Sequence, residues 1–207
     1  MQRILKHQPV DRIGLFEHFW DDTQRHWATQ GKVGAEEDLA THFNFDLSNW
    51  WTFNLMGDID MEPQVVEETE ETILKRDGNG ALLRTHKLHA STPEHVDFDV
   101  KDREKWEELI KPRLVFDRRR IDFASYRAAR AAAREHDRFF VCSGVNVFEC
   151  MHPVCGHENL LAGMALDPGW VLDMADTYSR LILELQETLF AEEGTPDAMW
   201  FYEDMGF

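Results

Sequence analysis

The sequence predicts an α/β fold, and three observations carry the prediction. Short apolar runs alternate with helix-patterned stretches, the pattern of layered strands and helices. The order strand, helix, strand from 139 to 204 suits a right-handed parallel crossover. Acidic residues follow directly on the carboxyl ends of the apolar runs, where α/β enzymes keep their chemistry.

Taken in order, Arg12-Ile13-Gly14-Leu15-Phe16 reads as a first buried strand ending at Glu17 and His18. Asp21 or Asp22 caps a helix running to Gly31, and a second short helix covers Ala35 to Phe43. The aromatic-rich stretch from Asn44 to Met56 reads as a loop and strand under the core. Glu62 to Arg76 has helix-like charge placement, but its β-branched residues and the turn Asp77-Gly78-Asn79-Gly80 favour a strand. With Ala81 to Leu88 it makes an inserted β-hairpin over about residues 62–90 of a single domain, 1–207.

Asp102 to Lys111 is expected to be a helix stopped by Pro112. Asp122 to Glu135 is expected to be a second, Ala-rich helix whose Arg127, Arg130 and Arg134 form a solvated face. Arg138 to Cys142 reads as a buried strand entering a loop through Cys150. Glu158 to Leu166 forms a helix, and Asp167-Pro168 opens the longest one. The apolar stripe of that helix is Val171, Met174, Ala175, Tyr178, Leu181, Ile182, Leu185 and Leu189, with Gly194 as its stop. Ala198 to Tyr202 is the last strand; Glu203 and Asp204 follow and no further element covers it, so the fold reads as incomplete.

Composition narrows the function. The chain is 207 residues long and 43% hydrophobic, enough for a core. A net charge of −17 argues against nucleic-acid or anionic-membrane partners and against unaided binding of a polyanion. Three cysteines do not make a secreted disulfide framework. No apolar run nears about 18 residues, and the polar start Met1 to Pro9 is no signal peptide, so a cytoplasmic protein is expected.

Three strand ends collect the polar groups suited to exchange protons with a substrate. The first offers Glu17 and His18, with Asp21 and Asp22 read as helix-terminal residues. The second offers Asn146, Glu149, Cys150 and His152; the third offers Glu203 and Asp204. Asp204, Glu203 and His152 are the catalytic candidates, with Glu17, His18, Asn146, Glu149 and Cys150 lining the substrate site. Parallel strands would place Glu17, Glu149 and Asp204 around one mouth. Cys150, His152, Cys155 and His157 are zinc-type ligands, but four of them in eight residues with Pro153 between are hard to fold around one tetrahedral ion, so no metal is assigned.

The residues also carry a family resemblance. Pro9-Val10-Asp11-Arg12, the Glu67-Glu68-Thr69 to Gly80 stretch and Val100 to Trp106 with Arg113-Leu114 resemble uroporphyrinogen-decarboxylase-like proteins. Gly144, Phe148-Glu149, Gly156 to Leu161, Asp167-Pro168, Thr195 to Ala198 and Glu203 to Gly206 extend the resemblance along nearly the whole chain. It implies an incomplete (β/α)8 TIM barrel with an inserted β-hairpin, since such a barrel typically needs about 250 residues. It implies one of two activities, decarboxylation of uroporphyrinogen or methyl transfer between a corrinoid and a thiol. The chain has Glu17-His18-Phe19-Trp20-Asp21-Asp22 where true decarboxylases have an Arg-rich segment, and a polycarboxylate needs arginine forks. The family's tyrosine falls near His152, its Asp-Ser pair at Asp204-Met205, and its early aspartate at Asp46 or Asp58. Corrinoid-linked methyl transfer is therefore the expected branch, with a small molecule or corrinoid protein as partner and zinc held by a later portion. A non-catalytic half-barrel that binds a tetrapyrrole or forms a homodimer is the alternative.

Overall fold

The structure is a computed structural model that describes Met1–Glu203, and it is a mixed α/β protein. It divides into two compact units. The first gathers Met1–Trp51, Phe123–Ser143 and Thr195–Trp200; the second gathers Thr52–Asp122, Gly144–Gly194 and residues 201–203. Each is therefore built from three separate stretches of chain.

A three-stranded sheet places β6 (Phe139–Val145) between β1 (Leu47–Trp51) and β7 (Ala198–Tyr202). β1 and β6 are parallel, in register from Leu47 opposite Phe139 to Trp51 opposite Ser143. Asp197 N–H donates to Phe140 O, and Asn146 N–H to Tyr202 O, so β7 runs in the same direction. The central strand is buried from Phe140 through Gly144, as a strand covered on both faces must be. No barrel closes among the described residues.

In the first unit, α1 (Gln2–Leu5), α2 (Asp21–Thr29) and α3 (Leu39–His42) precede β1, and α5 (Phe123–Glu135) precedes β6. Trp50 anchors β1 to α5: its indole N–H donates to Ser125 Oγ at 3.0 Å, and its ring meets Tyr126 edge-on at 5.1 Å. Phe19, Trp27, Phe43 and Phe45 form an aromatic cluster beside α2 and α3. Asp38 caps α3 by accepting from Ala40 N–H, whereas α2 starts after Trp20 with Asp21 and Asp22 inside its first turn.

The strand expected over Arg12–Phe16 is not formed. Its polar backbone is satisfied elsewhere: Leu15 N–H donates to Asp46 Oδ2, and Leu15 O accepts from Asp46 N–H. Ile13 is 84% exposed, so this apolar run is not buried. The first parallel strand is β1, within the aromatic stretch.

In the second unit, β2 (Gln64–Glu68), β3 (Thr72–Arg76), β4 (Ala81–His86) and β5 (Glu94–Phe98) make an antiparallel meander. The expected hairpin is thus twice as large. Its first leg is cut in two where the Thr69 hydroxyl accepts from Thr72 N–H and closes a turn, and β5 adds a fourth strand beyond residue 90. The Asp77–Gly80 turn forms as read, with Asp77 Oδ1 accepting from Asn79 and Ala81 N–H.

Asp102 caps α4 (Arg103–Lys105), but the helix does not continue as an α-helix to Lys111. Residues Trp106–Ile110 adopt the wider π spacing, closed by Lys111 N–H on Trp106 O, and Lys111–Arg113 is a 3₁₀ turn containing Pro112. Pro112 has no N–H for the α-type bond to Glu108, which fits the change of spacing just before it.

The strand β6 continues to Val145, and the loop expected after it is instead the first half of α6 (Val147–Leu166). The long helix α7 (Pro168–Glu193) matches expectation: Asp167 caps it through Trp170 N–H, and Gly194 ends it. Its buried stripe is Val171, Met174, Tyr178, Leu181, Ile182, Leu185 and Leu189. Among the described residues no helix is long and apolar enough to cross a membrane.

Candidate functional site

The carboxyl ends of β6 and β7 meet the start of α6. Asn146 is the first flanking residue of that helix, its carbonyl accepting from Cys150 N–H at 3.0 Å. Its side chain makes no capping bond. The cap comes from beyond β7, where Glu203 Oε1 accepts from Phe148 N–H at 2.7 Å. A carboxylate there satisfies one orphan donor and complements the positive end of the helix dipole. Glu203 thus has a structural task beside any catalytic one.

One turn further, Glu149 Oε2 lies 3.0 Å from His152 Nε2, and the two side chains are 15% and 12% exposed. A carboxylate at Nε2 selects the tautomer with the proton on that nitrogen. The other nitrogen, Nδ1, is then a lone-pair acceptor; it is buried and has no hydrogen-bond partner among the described residues. This is the arrangement of an oriented imidazole base.

His157 stacks on His152, with ring centroids 4.1 Å apart and planes 21° from parallel. In a regular helix, residues five apart point about 140° away from each other and do not stack. The kink of α6 makes the contact. Pro153 supplies no N–H, and Gly156 adopts φ 76°, ψ 155°, breaking the helix into two pieces. A Cβ at Gly156 would fall 2.5 Å from the Phe98 ring, so the close approach of β5 also requires glycine. Phe148 adds an aromatic wall 6.0 Å from His152.

His95, on β5, approaches His152 at 6.3 Å. Partial burial, then the charges of His152 and His157, hold His95 below the ordinary imidazole value, while Asp77 opposes them. Asp77 itself is pushed above the ordinary carboxyl value by desolvation, against the N–H bonds from Ala81 and Asn79. His95 and His157 border an open depression of about 420 Å³ that also includes Phe98, Lys101 and Asn159.

The thiols lie in the core. Burial, then the charges of Glu203 and Glu149, push Cys150 far up, and burial pushes Cys155 up to about 12. Cys142 is likewise pushed up to about 12. The lone pairs of two stacked imidazoles lie in near-parallel planes and do not converge on one ion. Among the described residues no group of three or more His, Cys, Asp or Glu is placed to hold a metal. The residues present therefore do not fit zinc. A depression of about 420 Å³ suits a small molecule but not an enclosed corrinoid, which is far larger than drug-sized ligands.

Glu17 and His18 belong to the first unit. They follow an extended segment rather than a strand, Glu17 Oε1 accepts from His18 N–H at 2.8 Å, and both border a depression with Phe16, Phe45, Leu47 and Trp51. Asp46 is a structural clamp: burial pushes its carboxyl up, but the Arg12 fork and Leu15 N–H hold it below the ordinary value. Asp58 accepts from Asp60 N–H and pairs with Arg113 at 3.4 Å. Asp204 lies outside the described residues. Of the candidates, Asn146, Glu149, Cys150, His152 and Glu203 are gathered in the second unit.

Four residues of that unit were given no site role by the sequence: His95, Asp77, Arg120 and Tyr178. Arg120 is 2% exposed, and its five N–H groups reach the carbonyls of Val115, Asn54, Met56, Gly57 and Arg113. Tyr178 is fully buried, and burial raises its phenol well above the ordinary value. Only the phenolic oxygen within an otherwise apolar stripe marks Tyr178 in the sequence.

Compared with family models, curated proteins and solved structures, the chain matches none.

Proposed function

We propose that β1, β6 and β7 are a segment of an incomplete (β/α)8 barrel of the uroporphyrinogen-decarboxylase-like kind, and that its reaction is corrinoid-linked methyl transfer to a thiol. The observation that carries this reading is the Glu149–His152 pair at the carboxyl end of β6, in the same unit as Glu203 at the end of β7. Parallel strands with chemistry at their carboxyl ends are what such a barrel requires. A thiol that takes up a methyl group loses its proton as the sulfur–carbon bond forms and the donor–carbon bond breaks, the bonding pair leaving with the donor. In this reading Nδ1 of His152 accepts that proton, and Glu149 stabilises the resulting imidazolium. Neither zinc nor the corrinoid enters a step assigned to these residues.

The test is methyl transfer from methylcobalamin to coenzyme M by the full chain, with His152→Asn and Glu149→Gln beside it. Removing a positioned base is expected to lower the rate about 10²-fold or more. Turnover of uroporphyrinogen without methyl transfer would move the reading to the decarboxylase branch. No turnover of either kind would refute the enzymatic reading.

The runner-up, a non-catalytic half-barrel that binds a tetrapyrrole or assembles as a homodimer, has one observation in its favour. Among the described residues β1 is laddered by β6 alone, and an edge strand invites pairing with a second copy. A monodisperse dimer by light scattering, without turnover, would favour it.

A further inference from the structure

His152 is the inner ring of three imidazoles. His157 lies over it at 4.1 Å and His95 approaches at 6.3 Å. The two outer residues are exposed, whereas the His152 side chain is 12% exposed and its Nδ1 is buried. The charged groups facing this array come from every element around it. α6 itself contributes Glu149 and Glu158, and the β3–β4 turn contributes Asp77. β5 contributes Asp97, ion-paired with Lys101 at 2.7 Å. On β4 the register partner of His95 is Leu83, and the neighbouring Arg84 is paired with Glu94 and Glu67. α7 brings Tyr178 against Cys150 and Cys155, and Glu203 approaches Cys150 from beyond β7. Among the described residues, Glu149 alone bonds an imidazole of the array directly.

The geometry points to a proton-responsive cover: His95 and His157 close over His152 while at most one ring of the array is an imidazolium, and uncover it when a second ring is protonated. A single imidazolium over a neutral ring is an attractive cation–π contact. Two imidazolium rings at stacking distance repel, and one carboxylate in direct contact does not offset both. The outer rings are already exposed, so swinging into water costs them little. Interacting sites of this kind take up protons in separate macroscopic steps. The cover would regulate access to His152 whatever reaction the Glu149–His152 pair serves.

The experiment is ring-resolved NMR of the full chain labelled in histidine, titrated from about pH 8 to 4.5 with and without a soluble nitroxide. Two steps separated by more than about one pH unit are expected. The nitroxide should scarcely broaden the His152 ring signals through the first step, and broaden them about threefold more after the second. His157→Phe keeps a stacking ring that takes no proton, so the uncovering should be lost above about pH 5. Independent single titrations with flat broadening would overturn the inference, as would uncovering of His157→Phe at the wild-type pH. If that variant does not fold, the wild-type broadening curve decides alone. The readout is accessibility, so failure to find methyl transfer leaves it untouched.

Discussion

Replacing Arg120 by methionine removes the donor set that ties two stretches of the second unit, residues 54–57 and 113–115, together. The guanidinium serves five carbonyls, spread over Asn54–Gly57, Arg113 and Val115, at 2.7 to 3.3 Å. Hydrogen bonds to charged groups contribute about 1.5 kcal/mol or more each. Five would reach about 7.5 kcal/mol or more, but burying the cation costs several kcal/mol, which the substitution returns. Burial indeed holds the Arg120 guanidinium below its ordinary value. The expected net loss is about 3–5 kcal/mol, since methionine fills the volume but leaves the carbonyls without their donor. With a urea slope of about 2 kcal/mol per molar, the midpoint should fall by about 2 M. Arg120→Lys, with three donors and a shorter reach, should fall between. Urea denaturation followed by tryptophan fluorescence measures both. A midpoint within about 0.5 M of wild type, at unchanged slope, would falsify the view that Arg120 is a structural tie.

Three other outcomes follow from the same unit. Asp77→Asn keeps an oxygen for the Asn79 and Ala81 N–H groups but removes a carboxylate whose proton the folded state holds more tightly than the unfolded; it should match or exceed wild-type stability at pH 7 by roughly 0.2–0.5 kcal/mol after solvent screening, whereas Asp77→Ala should lose about 1–2 kcal/mol in chemical denaturation. Gly156→Ala places a side chain in a region open essentially to glycine and against the Phe98 ring, at a cost of about 3 kcal/mol, and should abolish the ring-current shift between His152 and His157 in NMR spectra. Asp173 accepts from the Trp106 indole and Lys111; burial pushes its carboxyl up, but those bonds outweigh it and hold the group below the ordinary value. Its contribution is complete above about pH 4 and is lost as pH falls further, so Tm should drop in that window and Asp173→Asn should flatten the drop.

Much of the fold was legible in the sequence where local chemistry and burial agree. The Asp167-Pro168 start, the buried stripe and the Gly194 end of α7 needed no tertiary information, nor did β7 or the turn at Asp77–Gly80. Arg12–Phe16 failed because an apolar run does not disclose that Asp46 will satisfy its backbone from another segment. The first half of α6 was read as loop because Pro153 and Gly156 are breakers; here they bend a helix rather than end it. The candidate pair Glu149 and His152 was legible as residue types three positions apart, but the His157 stack depends on that bend. His95 and Asp77 join from the meander, far away in sequence, and nothing in the run Arg118–Arg120 distinguishes Arg120 until its carbonyl partners are seen.

The threading of both units has a consequence for synthesis. A ribosome delivers β1 and β6 well before β7, the last member of their sheet. At about 5–20 residues per second, the roughly 50 residues between β6 and β7 take on the order of 3–10 s to emerge. During that interval the most apolar strand of the nascent chain has one flank unpaired, a template for wrong partners. Slowing translation after residue 145 should therefore raise the fraction caught by chaperones, and no fragment lacking β7 should accumulate as soluble protein.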